Sequence, residues 1–102
     1  MNKAKQTKLE RKGWKFGAAD EFLGLSAEEL AYIELKLALS DKLKAKRVSK
    51  KLTQAELAQV MHSSQSRVAK MEAGDPAVSI DLLVKSLLAL GVSKKELWRT
   101  IS

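Results

Sequence analysis

Apolar residues recur at helical spacing in five blocks, and polar caps separate the blocks. Ser26 with Glu29, Thr53 with Glu56, and Ser93 with Glu96 each fit a capping box. In such a box the hydroxyl accepts from the third backbone N–H, and the Glu reaches back to the cap. Each pair is flanked by apolar residues that can staple the helix start: Leu25 with Leu30, Leu52 with Leu57, Val92 with Leu97. Ser79 lacks the Glu, but Val78 and Leu83 can staple it and Asp81 lies near the positive helix end. Ser64 supplies a further cap, and Gly74 and Gly91 stand where helices should stop. The pattern predicts an all-α fold with helices over residues 27–49, 54–61, 65–73, 80–90 and 94–100. A single proline, at position 76, and few β-branched runs point the same way.

The first of these helices is long, about 35 Å at 1.5 Å per residue. Its end offers Leu43 and Val48 to a core. Its beginning is apolar on two sides, with Leu30, Ile33 and Leu37 on one stripe and Tyr32, Leu35 and Leu39 on another. A helix apolar on two faces is covered on two faces. One cover is residues 14–25, and the other is a second subunit or a different protein, unless the whole surface is covered within the chain. Residues 14–25 hold Trp14, Phe16, Phe22 and Leu23, so these four and Tyr32 are candidate partner-binding positions.

The second and third helices are short and joined by a tight turn. Leu57, Val68 and Met71 point between them and into the core, and Ala58 is small where they touch. The outer face of the third helix keeps Gln65, Ser66, Arg67 and Lys70. A Gln amide matches the N6 donor and N7 acceptor of adenine, and Lys70 can reach a guanine or a phosphate. Arg67 has three readings: base contact, phosphate contact or solvated surface. Gln54 opens the second helix, where free N–H groups favour a phosphate, and its amide can also brace a neighbouring side chain. This is the pattern of a helix-turn-helix that reads DNA.

Composition sets the limits. At 102 residues there is room for one domain and a tail. No run of eighteen apolar residues exists to span a membrane, and no apolar stretch follows the charged N-terminus to form a secretory signal. Zero cysteines remove disulfides and thiolate metal sites and fit a cytoplasmic protein. No ligand cluster, glycine-rich phosphate loop or spaced carboxylate pair suggests an enzyme, a metal or a cofactor. The formal net charge of +7 is uneven. Residues 1–15 carry six Lys/Arg against one Glu, residues 16–40 carry five Asp/Glu against Lys36, and residues 41–51 carry six Lys/Arg against Asp41. Such a balance means a polyanion partner or a solvated surface. The second basic block adjoins the helix-turn-helix, which favours DNA. The predicted organisation is a basic, disordered tail over residues 1–12, an aromatic-containing extension over 13–26, and a DNA-binding domain over 27–102.

From about Leu43 to Leu97 the chain resembles the Xre/Cro-type helix-turn-helix family, the lambda-repressor-like DNA-binding domains. The strings Leu52-Thr-Gln-Ala-Glu-Leu-Ala-Gln59 and Leu87-Leu-Ala-Leu-Gly-Val92 carry the likeness. The resemblance implies a five-helix bundle that binds an inverted-repeat operator as a homodimer. It implies DNA contact from Gln54, Gln65, Ser66 and Lys70, and Ser64 and Arg67 join them as candidate DNA-binding positions on the same helix start. It also implies that Arg47 pairs with Glu72 and ties the first helix to the recognition helix. Charge alone makes Arg47 another phosphate contact. Two positions depart from the family pattern, because His62 and Lys51 stand where glycine is usual. Both turns commonly need a left-handed backbone, at a cost of about 1 kcal/mol for a residue with a Cβ.

Further upstream, Gly13-Trp-Lys-Phe-Gly17 and Glu21-Phe-Leu-Gly-Leu-Ser26 resemble HigA-type antitoxins of toxin–antitoxin pairs. That resemblance implies a repressor of its own operon that also holds a small basic ribonuclease toxin. The acidic Asp20, Glu21, Glu28, Glu29 and Glu34 suit such a partner. The alternatives are a stand-alone regulator and a coactivator or inhibitor whose fold does not read DNA.

Overall fold

The computed structural model describes residues 26–102, which form five α-helices and no strand. They are α1 (Ala27–Ser49), α2 (Gln54–Val60), α3 (Gln65–Ala73), α4 (Ile80–Ala89) and α5 (Lys94–Ile101). Every expected helix is present, with ends within one residue of the sequence reading. Trp14, Phe16, Phe22 and Leu23 lie outside the described residues, as do the tail and most of the extension.

Local chemistry sets both ends of the helices. The hydroxyls of Ser26, Thr53, Ser64, Ser79 and Ser93 accept from the N–H groups of Glu29, Glu56, Arg67, Leu82 and Glu96, at 3.0–3.1 Å. Of the three expected boxes, the one at Thr53 closes in both directions, with Thr53 N donating to Glu56 Oε1 at 2.9 Å. The box at Ser93 does not. The Glu96 carboxylate turns instead toward α1, 3.3 Å from Lys42 Nζ and 3.8 Å from Lys46 Nζ. Two cations offer that carboxylate more than one backbone N–H does, and α5 is thereby pinned to α1.

Four helices stop in the same way. After α1, Leu52 N donates to Arg47 O and Lys51 N to Val48 O. After α2, Ser63 N donates to Ala58 O and His62 N to Gln59 O. After α3 and α4, Asp75 and Gly74, then Val92 and Gly91, repeat this pair of bonds. This geometry requires a left-handed residue at its centre. The four are Lys51 (φ 59°), His62 (φ 53°), Gly74 (φ 73°) and Gly91 (φ 87°). Lys51 and His62 therefore adopt the backbone that glycine usually supplies, and the turns keep their form despite the Cβ.

The core lies where all five elements meet. Leu39 and Leu43 of α1, Leu57 and Ala58 of α2, Val68 and Met71 of α3, and Leu83 and Leu87 of α4 are buried together, with Leu97 of α5 packed against them. α1 packs on α3, α4 and α5, and α2 packs on α3. Ser40 and Ser86 are fully buried on α1 and α4. The Ser86 hydroxyl donates to Leu82 O at 2.6 Å.

Val48 departs from its expected core position and is 56% exposed. The buried stripe of α1 runs Lys36, Ser40, Leu43 and then Arg47, which turns inward to an acid. The next residue is rotated by about 100° and faces solvent. Of the two apolar stripes at the start of α1, Ile33, Leu37 and Leu39 are buried, Leu30 and Leu35 are half-buried, and Tyr32 is exposed.

Relief of left-handed strain competes with the extra freedom glycine gives the unfolded chain. His62→Gly and Lys51→Gly should each stabilise the domain by about 0.5 kcal/mol. Urea unfolding of the variants checks this, and a lower midpoint for either would contradict it.

Candidate nucleic-acid interface

α3 divides its side chains sharply. Val68 and Met71 are fully buried and Glu72 nearly so, while Ser64, Gln65, Ser66, Arg67 and Lys70 are exposed. A nine-residue helix has little intrinsic stability, so its orientation depends on what holds its inner face. Apolar packing does part of this. A buried carboxylate does the rest.

The Glu72 side chain is 3% exposed. Arg47 Nε donates to Glu72 Oε2, and Arg47 Nη2 donates to Glu72 Oε1 at 3.0 Å. Gln54 Nε2 donates to the same Oε1 at 3.2 Å. Arg47 Nη1 donates to Leu52 O at 2.8 Å, in the turn that leads to α2. The last turn of α1, the first turn of α2 and the last turn of α3 thus converge on one acid. Its hydrogen bonds raise the pKa of the Arg47 guanidinium above its ordinary value. A bidentate, buried Arg–carboxylate pair is directional in a way that a lysine pair is not.

In front of α3 lies a cleft of about 380 Å³. Ser64, Ser66, Arg67 and Lys70 line one side, and Ala77, Val78, Ser79 and Leu82 line the other. Two helix N-termini border it, capped by Ser64 and Ser79, and each brings partial positive charge. Two cations and two helix ends suit a phosphate. The exposed amide and hydroxyl beside them suit base edges.

A helix-turn-helix family model matches residues 43–97, or 55 of the 102 residues. The chain belongs to the Xre/lambda-repressor-like helix-turn-helix family. It is therefore a DNA-binding regulator by family. Comparison with curated proteins gave no match, and neither did comparison with solved structures. α2 and α3 are the two helices of the motif, and α3 occupies the place of its recognition helix.

Within this helix-turn-helix the candidate positions separate into groups. Gln65, Ser66, Arg67 and Lys70 share the exposed face of α3 and Ser64 caps it. Gln54 is half-buried, with its amide nitrogen turned inward to Glu72. Arg47 and Glu72 are joined, so Arg47 is withdrawn from the surface that charge alone suggested. Tyr32 is exposed near the start of α1. His62 is exposed in the turn between α2 and α3. The far wall of the cleft was not anticipated. Its one sequence signal is the turn string Gly74-Asp-Pro76 followed by the Ser79 cap, which brings α4 back toward α3.

Removing one partner of a buried ion pair leaves an uncompensated charge. Arg47→Met should cost about 3 kcal/mol of stability, and adding Glu72→Met should restore at least about 1 kcal/mol of it. Urea unfolding of the single and double variants tests this. A double variant less stable than Arg47→Met would contradict it.

Proposed function

We propose that this chain is a sequence-specific transcriptional repressor that reads an inverted-repeat operator as a homodimer. The observation that carries the reading is the division of α3, whose inner face is locked through Glu72 and whose outer face exposes Gln65 and presents Ser66, Arg67 and Lys70 to the cleft. In this reading Gln65 and Ser66 contact base edges. Lys70 and Arg67 contact phosphates beside the Ser64 and Ser79 helix ends. Gln54 braces Glu72 from the front of α2. A second copy supplies the second half-site, and Trp98 and Ile101, exposed one turn apart on α5, offer it an apolar surface.

Selection from random duplexes with the purified chain should enrich one short inverted repeat. On that duplex Gln65→Ala should cost about 1–3 kcal/mol and relax preference at one base position. Lys70→Ala should weaken binding to all sequences alike and lower the salt slope by about one. A chain that enriches no sequence contradicts the proposal.

A second reading adds a protein partner. Glu28, Glu29 and Tyr32 are exposed on the first turns of α1, while Ile33 and Leu37 of the same turns are buried. This acidic surface with an aromatic one turn on suits a small basic ribonuclease, and the chain then acts as the antitoxin of a toxin–antitoxin pair that represses its own operon. Affinity purification from native cells should recover a small basic protein in stoichiometric amount. Glu28→Lys with Glu29→Lys and Tyr32→Ala should lose that partner and still bind the selected duplex. Recovery of DNA without any protein partner leaves the stand-alone regulator.

A further inference from the structure

Lys36 is a cation outside the DNA-facing surface, and it is buried. It lies mid-way along α1 and is 2% exposed. Burying an ammonium is unfavourable unless a bond repays it. Burial pushes its pKa down, and the charge of Asp75 opposes that shift. Its Nζ donates to Pro76 O at 2.7 Å, across 40 positions of sequence.

Pro76 belongs to the short segment between α3 and α4. That segment is a tight turn: Ala77 N donates to Asp75 Oδ1 at 2.8 Å, and Val78 N to Asp75 O at 3.1 Å. These bonds fix its internal shape. Asp75 N ties its start to Lys70 O of α3, and the buried Val78 seats its end in the core. Lys36 adds a directional bond from α1, at the residue just before the wall formed by Ala77, Val78 and Ser79. The opposite wall carries Arg67 and Lys70. A shift of Pro76 changes the width of the cleft and the direction of the α4 N-terminus together.

We propose that Lys36 is a positioning residue for DNA binding, holding the far wall of the cleft at the distance a phosphate needs from Arg67 and Lys70. The inference rests on the DNA-binding reading above. An apolar side chain would fill the same space at less desolvation cost, but it would supply no directional bond to the carbonyl.

The chain has no cysteine, so Lys36→Cys creates a unique thiol. Alkylation with 2-bromoethylamine in urea, followed by refolding of the full chain, rebuilds a lysine isostere at that position. Lys36→Met keeps the stem and removes the ammonium. In Lys36→Met the Ala77 and Val78 amides should exchange about tenfold faster, with smaller changes at Leu57 and Val68. Affinity for the duplex selected by the wild-type chain should fall about fivefold to tenfold. The aminoethylated protein should recover both properties, and the same thiol capped with iodoacetamide should not. Unchanged exchange or unchanged affinity in Lys36→Met overturns the proposal, as does a loss that aminoethylation does not repair. Should Lys36→Met not refold, the two alkylated forms of the cysteine variant give the same comparison. A wild-type chain that selects no duplex overturns the DNA-binding reading itself, which separates that failure from a failure of Lys36.

Discussion

Glu72 presents a carboxylate to the interior of a small helical bundle, and leaving that charge unmet by hydrogen bonds costs about 3 kcal/mol. Arg47 meets it with two nitrogens and Gln54 with a third, so three helices are tied at one point. The geometry is demanding. α1 must end where Arg47 can reach, which fixes the turn through Lys51 and Leu52. α2 must begin where Gln54 can reach, which the Thr53 capping box secures. α3 must then show its opposite side to solvent. The orientation of the outer face follows from the requirement that the inner acid be satisfied.

The helix ends reinforce this. One hydrogen-bond pattern terminates α1 to α4, and its left-handed residue is glycine after α3 and α4 but lysine and histidine before and within the motif. The chain accepts strain at the two turns on either side of α2. Fully buried packing from Leu57, Val68 and Met71 compensates it. A short motif helix of seven residues is stable here only because its caps, its turns and its neighbours all agree.

Most of the fold is legible in the sequence because the signals are local. A hydroxyl before an apolar block acts over three or four residues and locates the start of every described helix, and glycine marks the stop of α3 and α4. The misplacements arise where a tertiary partner outcompetes a local one. Glu96 leaves its cap for Lys42 and Lys46. Arg47 takes the inward position and turns Val48 out. Lys36 enters the sequence only as a single cation in an acidic stretch, and its burial depends on the turn at Pro76 that folds against it. The exposed face of α3 was legible for the same reason as the helices, since it is what remains once Val68, Met71 and Glu72 turn inward. The far wall of the cleft was not, because it depends on a loop packing against a helix 40 positions away.

The central claim is that the outer face of α3 and the wall opposite it form the surface that meets DNA. The most direct measurement is amide chemical-shift mapping of the full chain during titration with its selected duplex. The largest changes should fall at Gln65, Ser66, Arg67 and Lys70 and at residues 77–79, with Glu28 and Glu29 unmoved. Changes confined to α1, with α3 and the loop unaffected, would contradict it.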